Sequence, residues 1–179
     1  MAILDILTAP HPVLELRARD VRDEEFGPAL AAHLSDMAET MYAAPGVGLA
    51  GPQVSDPRRV IVVDPGERQE RGKRLFCMVN PVIVWGSDER IPWNETCLSV
   101  PEFEVKVRRA KAVRVTWRDP HGAPQERWFR DFESIIVQHE LDHLEGTVLL
   151  DKVSGFRRSR YLKQRKKAAL KVKDVELAE

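Results

Sequence analysis

Residues Ile135–Leu150, IIVQHELDHLEGTVLL, constrain this chain more than any other stretch. His139 and His143 stand four residues apart with Glu140 directly after the first, inside a run that is apolar on both sides. On a helix, positions i and i+4 share a face, so both imidazoles can reach one ion. Glu140 then lies on the adjoining side of the same turn, placed to take a proton from an activated water and not to bind the ion itself. A helix that carries polar chemistry between apolar flanks has to be buried in a core built by other elements. The bland alternative is a helix with two incidental histidines, because HExxH alone is a short pattern. Two ligands do not hold a catalytic metal, so the question becomes where the third lies.

The surrounding pattern supplies strands as well as helices. Asp23 to Ala44 places Phe26, Leu30, Leu34, Met37 and Met41 at three- and four-residue spacing, which predicts an amphipathic helix ended by Pro45-Gly46. VIVVD, LFCMVNP and VIVWG are short, β-branched or aromatic, and bounded by turn formers, so each reads as a strand. FEVKVRRAKAVRVTWRD alternates, and the turn Asp119-Pro120-His121-Gly122 sends it into QERWFRD as a hairpin. A second helix is expected over Phe132 to Leu144 and a third in the basic tail. The expected fold is α+β: antiparallel or mixed sheets packed around a central helix that carries HExxH, with an N-terminal and a C-terminal helix. No repeat or linker divides residues 1–179, which predicts one domain.

Four places could hold the missing ligand, and two of them do not supply one. In the extended pattern H-E-x-x-H-x-x-G-x-x-H, Gly146 stands in its place but the last position is Leu149, which cannot bind metal. A downstream glutamate is absent between Gly146 and Val175. Asp151 remains open as a carboxylate ligand, which would suit a zinc peptidase or amidase. Upstream, Cys97 sits in the turn-rich WNETCLSVPEF, flanked by Asn94, Glu95, Thr96 and Ser99. That is poor company for a core thiol, and a thiolate suits Zn2+ or Fe2+. Cys77, inside LFCMV, reads as ordinary core. Pattern alone does not settle Cys97 against Asp151.

Charge and composition bound the rest. At 43% hydrophobic and 31% charged, with no apolar run near the ~20 residues of a membrane span, the chain is expected to be soluble. The start MAILDILTAPHP has no basic n-region, and two cysteines make a thin disulfide framework, so a cytoplasmic location is the expectation. Lys plus Arg and Asp plus Glu both number 28, yet Arg157 to Lys173 holds nine basic residues and no acid, leaving the remainder with nine more acids than bases. Such a tail is either a solvated helical face or a contact for a polyanion.

GVGLAGPQ, ETCLS and QHELDH occur in that order and resemble the three signature motifs of peptide deformylases, GxGxAAxQ, EGCLS and QHExDH. The resemblance runs over nearly the whole chain. It implies a metal-dependent hydrolase that removes the N-formyl group from formyl-methionine of newly made polypeptides and releases formate. It further implies Cys97, His139 and His143 as ligands of one divalent ion, Fe2+ as the native metal with Zn2+ the alternative, and Glu140 as general acid and base. The oxyanion donors fall on the Gln53 side chain and the Leu98 backbone N–H. Without that context Gln53 reads as a solvated loop residue. Glu95 would pair with Arg109 to hold the Cys97 loop, where the plain alternative is a surface ion pair. An apolar pocket for methionine would draw on Val47, Phe132, Ile135 and Ile136, each of which could equally be plain core. Gly46 and Gly48 would let backbone approach substrate, and Thr96 would border the peptide. A binder of formylated peptides or ribosomes without turnover is the reading from another class, and Glu140 argues against it. Two positions depart from the motifs, Thr96 for Gly and Gly51 for Ala. Glu104 adds a negative charge beside the cleft. The basic helix, about 157–173, is the candidate ribosomal RNA contact.

Overall fold

A computed structural model describes residues 2–66 and 70–176, with side chains followed to residue 168. Among the described residues three α-helices, α1 (Pro28–Ala43), α2 (Phe132–Leu144) and α3 (Gly155–Glu176), are joined to seven strands. These are β1 (Gly48–Ala50), β2 (Val60–Val63), β3 (Phe76–Gly86), β4 (Arg90–Cys97), β5 (Val100–Ala110), β6 (Ala112–Arg118) and β7 (Pro124–Arg130). One sheet has the order β1-β2-β3-β6-β7 and the other is the β4-β5 hairpin, every named pairing being antiparallel. The fold is therefore α+β as expected.

The unbroken apolar run of β2 has a simple cause: the strand is buried on both faces. Ile61 and Val63 pack with Ile136, Val137, Leu141 and Leu144 of α2, while Val60 and Val62 pack with Leu30, Leu34, Met37 and Met41 of α1. Helix α2 thus lies against β1, β2 and β7 of the large sheet and touches β5 of the hairpin. A polar helix face pressed between two sheets is where a buried site can be built. The helix ends at Gly146, whose φ of 71° and 2.7 Å approach of a Cβ to the Glu15 carbonyl leave room for no side chain. The Thr147 N–H closes that turn on the Asp142 carbonyl at 2.9 Å.

Local expectations need four corrections. Helix α1 begins at Pro28, not Asp23; Asp23–Glu25 form a separate 3-10 turn, and Gly27 at φ 127° breaks the path between them. LFCMVNP and VIVWG form one strand, bent at Asn80, whose φ of 52° is stabilised by two side-chain bonds to the Val21 backbone at 2.8 and 2.9 Å. The long alternating run divides at Lys111 into β5 and β6, which belong to different sheets. The turn-rich stretch before Cys97 is strand β4, paired residue by residue with β5. The basic run lies on α3, although the side chains of Lys171 and Lys173 fall outside the described residues.

Candidate metal centre and active site

Helix α2 presents His139, Glu140 and His143 on consecutive turns, and Glu140 and His143 are buried. Glu140 Oε2 and His143 Nδ1 have no hydrogen-bond partner among the described residues. A buried polar atom left unpaired costs about 1–3 kcal/mol, so the unpaired Glu140 oxygen on the cavity wall marks a place that a ligand completes. Gly48 of β1 faces the same carboxylate. A Cβ there would stand 2.3 Å from Glu140 Oε1, so this glycine makes room for Glu140 before it makes room for any substrate.

Cys97, the last residue of β4, brings the third sulfur or nitrogen donor. One ligand atom each from Cys97, His139 and His143 lies within 4.8 Å of the others, and Cys97 Sγ is 3.2 Å from His143 Nε2. A tetrahedral ion with one sulfur and two nitrogen ligands needs donors roughly 3.5 Å apart, so this set fits a divalent cation. Burial pushes His143 well below the ordinary imidazole range and keeps it neutral, the form in which it binds metal. Asp151 takes no part: its carboxylate accepts from the Val148 N–H at 2.9 Å and meets Arg158 at 3.1 Å. Cys97 is itself buried despite its polar neighbours, because Glu95 and Ser99 are buried with it.

The Glu95–Arg109 pair is no surface bridge. Arg109 grips Glu95 through Nε and Nη2 at 2.7 and 2.8 Å, and both side chains are buried. The other face of Glu95 meets His139 Nδ1 at 2.8 Å, which leaves Nε2 to point away from that carboxylate. Burial pushes the Glu95 carboxyl up, but Arg109 and His139 outweigh it and hold it at about 2. His139 is raised well above its ordinary value: burial opposes its charge, and contacts with Cys97 and Glu95 win. Glu140 moves the other way. Burial drives its carboxyl up to about 7, with His139 opposing. Neighbouring carboxyls thus take opposite protonation behaviour from their surroundings.

Gln53 is buried in the 3-10 turn Gly51–Val54. Its Oε1 accepts from the Ala50 N–H at 2.8 Å, which turns Nε2 toward Ser99 Oγ at 3.0 Å and Cys97 Sγ at 3.7 Å. Leu98 follows Cys97 in the tight turn between β4 and β5. These groups open on a cavity of about 560 Å3 whose walls include Val47, Gly48, Thr96, Leu98, Phe132, Ile135 and Ile136, every substrate-side residue expected from the sequence. Pro45, Trp93, Asn94 and Pro101 complete the wall and were not foreseen. Trp93 stacks on Phe132 with ring centroids 5.4 Å apart, a pairing across 39 positions that no local pattern announces.

Two further side chains escape the sequence reading. Arg109 Nη1 donates to Asp142 Oδ2 at 2.6 Å, tying the hairpin to α2. Gln138 bonds the Ala110 N–H and carbonyl at 3.1 and 2.9 Å and so fixes the crossing from β5 to β6 against α2. Both lie inside the QHELDH stretch, which was the available signal.

A family model described as polypeptide deformylase matches residues 3–159. The peptide deformylase of Phenylobacterium zucineum is 42% identical over 170 residues, covering 94% of this chain and 98% of that protein. The crystal structure of peptide deformylase from Ehrlichia chaffeensis superposes with a TM-score of 0.86 at 32% identity, over 95% of this chain and 98% of that one. A class I type b peptide deformylase from Acinetobacter baumannii, bound to Met-Ala-Ser, has a TM-score of 0.79 at 34% identity, over 85% and 99% of the two chains.

Proposed function

The chain belongs to the peptide deformylase family, and on that premise we propose how its residues remove the N-formyl group from the N-terminal formyl-methionine of newly synthesised polypeptides and release formate. The observation that carries the reading is the convergence of three ligand atoms within 4.8 Å beside an unpartnered glutamate on the cavity wall. Cys97, His139 and His143 would hold one divalent cation, Fe2+ as the native ion and Zn2+ as the alternative. Such an ion supplies Lewis acidity and lowers the pKa of water toward about 7.

The chain's own groups do the remainder. Glu140 takes a proton from the attacking water as its oxygen adds to the formyl carbon, then gives it to the amine nitrogen as the C–N bond breaks. A carboxyl poised near 7 suits both transfers. Gln53 Nε2, fixed by the Ala50 bond, and the Leu98 N–H stabilise the oxyanion, and a donor of this kind is worth about 10²–10³ in rate. Glu95 orients His139, and Arg109 holds Glu95. Among the described residues β1 ends one sheet and β4 pairs with β5 alone, so the cavity, lined from both strands, borders two strand edges where an extended peptide can add its backbone bonds. Val47, Trp93, Phe132, Ile135 and Ile136 then receive the methionine side chain. Thr96 stands on the β4 edge and narrows the path. Equal kcat/KM in Thr96→Gly across several formyl peptides would remove that role.

Residues 1–179 act as one catalytic domain in the cytoplasm, and no described helix is long and apolar enough to cross a membrane. Exposed Arg160, Lys163, Lys166 and Lys167 on α3 offer a ribosomal RNA contact that should weaken steeply with salt. The deciding experiment is formate release from formyl-Met-Ala-Ser by protein purified without oxygen, with metal quantified in the same sample. Rapid release and about one ion per chain, both lost in Cys97→Ala, are expected. Metal without release would overturn the catalytic reading.

A further inference from the structure

The β4-β5 ladder is interrupted beside the cavity. Thr96 pairs with Glu104, yet the next residue, Cys97, pairs with Val100, so Pro101, Glu102 and Phe103 are pushed out of the ladder. Glu102 sits at φ 60°, a left-handed conformation that gives the extruded segment its sharp bend. Backbone pairing with β4 does not hold these three residues. Helix α3 does. The Tyr161 hydroxyl donates to the Pro101 carbonyl at 3.0 Å, and Arg157 Nη2 donates to the Glu104 carbonyl at 2.6 Å. The Arg157 guanidinium lies over the Phe103 ring at 4.8 Å, and the Phe103 and Tyr161 rings stand 4.9 Å apart. Tyr161 is 5% exposed, so this is a packed joint and not a surface brush.

The extruded segment matters because Pro101 is part of the cavity wall. Trp93 and Phe132, in ring contact, stand with Ile135 and Ile136 in that wall, whereas Pro101 follows closely on Leu98, whose side chain packs beside Gly46. With methionine among the aromatic and branched residues, the chain that follows it passes Leu98 and Pro101. We propose that Tyr161 and Arg157 are positioning residues: α3 fixes the Pro101–Phe103 bulge and so sets affinity for the peptide beyond formyl-methionine, without touching the reacting atoms. This rests on the deformylase reading for the orientation of the peptide. Loosened, the bulge would have to be ordered each time a peptide bound, and that entropy would weaken binding of ligands long enough to reach it.

The test uses metal-loaded, full-length protein and two pairs of ligands. Binding of Met-Ala-Ser and of methionine amide is measured by calorimetry, and KM and kcat by formate release from formyl-Met-Ala-Ser and formyl-methionine amide. Tyr161→Phe deletes one hydroxyl and keeps the ring; Arg157→Gln keeps the stem. Each should raise Kd and KM for the tripeptides about threefold to tenfold, the loss of one hydrogen bond. Both constants for the amides, and kcat for both substrates, should stay within about twofold. Equal weakening of long and short ligands would make the contacts merely structural and overturn the proposal, as would unchanged tripeptide binding in the double variant. If no protein turned over either formyl compound, the deformylase reading would fall, while the two binding constants would still decide the role of α3.

Discussion

Among the described residues, two carboxylate–arginine–histidine clusters have nearly the same chemistry, and one of them borders the cavity beside Glu140. In the first, Glu95 takes Arg109 through two nitrogens and faces His139 Nδ1 at 2.8 Å. In the second, Asp56 takes Arg58 at 2.9 Å from Nε and 2.8 Å from Nη2, and His33 Nε2 lies 2.9 Å from its other side. Both carboxyls are buried and both are held well below the usual carboxylate range, burial being outweighed by the partners. The difference lies beyond the histidine. His139 stands with His143 and Cys97 around a common point, next to Glu140 and the cavity; none of His33, Asp56 or Arg58 lines that cavity. A charged triad with a depressed acid is therefore no mark of a site by itself. The mark is a triad whose histidine is aimed at unpaired groups and open space.

The sharpest break in the comparison is catalytic. Glu140→Gln should lower kcat by about 10²–10⁴ while keeping the metal, because it removes the proton carrier and leaves the ligands. Asp56→Asn should leave kcat for formyl-Met-Ala-Ser within about twofold, as expected for a substitution remote from the reacting groups. Formate release and metal content on the same preparations check both, and a kcat loss in Asp56→Asn comparable to that of Glu140→Gln would erase the distinction. Next in size is stability. Arg109→Met strands the buried Glu95, while part-exposed Asp142 keeps Lys152 at 3.0 Å, and should cost about 3–5 kcal/mol in denaturant unfolding. It should also weaken metal binding by about 10–100-fold through His139. Arg58→Met should cost less, since Arg58 is partly exposed and Asp56 keeps its backbone bond from residue 58 at 3.0 Å.

What the sequence revealed of this comparison follows from distance along the chain. HELDH announces itself because both ligands and the base share one helix, and β2 because four apolar residues in a row need two packed faces. Strand β4 was hidden, since Pro92, Asn94 and Glu95 carry no apolar alternation; it is a strand because β5 pairs with it, a tertiary cause. Cys97 was legible through its polar neighbours, yet two of them, Glu95 and Ser99, are buried, which composition cannot show. The bond from Arg109 to Asp142 spans 33 positions and that from Gln138 to Ala110 spans 28, so neither leaves a periodic trace. Asp56 and Arg58, two residues apart, carry no pattern that separates them from other acidic–basic neighbours. Only the fold brings His33 of α1 to them.

The smallest effect is the most discriminating, because it treats the two carboxyls alike in one respect and not in another. A folded-state pKa below the unfolded value, about 4, contributes stability that is fully present above pH 4 to 5 and is lost as pH falls through the folded value. Both Asp56 and Glu95 are in this position, so both should steepen acid unfolding below about pH 4.5. Asp56→Asn should cost about 1.5–3 kcal/mol at pH 7, the worth of a hydrogen bond to a charged group. For a chain of this size that is a fall of roughly 3–12 °C in Tm. The gap between variant and wild type should shrink on acidification below about pH 4.5 and close only once the wild-type carboxyl itself takes up a proton in the folded state. Glu95→Gln should show the same closing gap in thermal melts and, in addition, weaker metal retention at pH 7, because its partner is His139. If Asp56→Asn also loosened the metal, the second cluster would have to communicate with α2, and the separation between a structural triad and a functional one would fail.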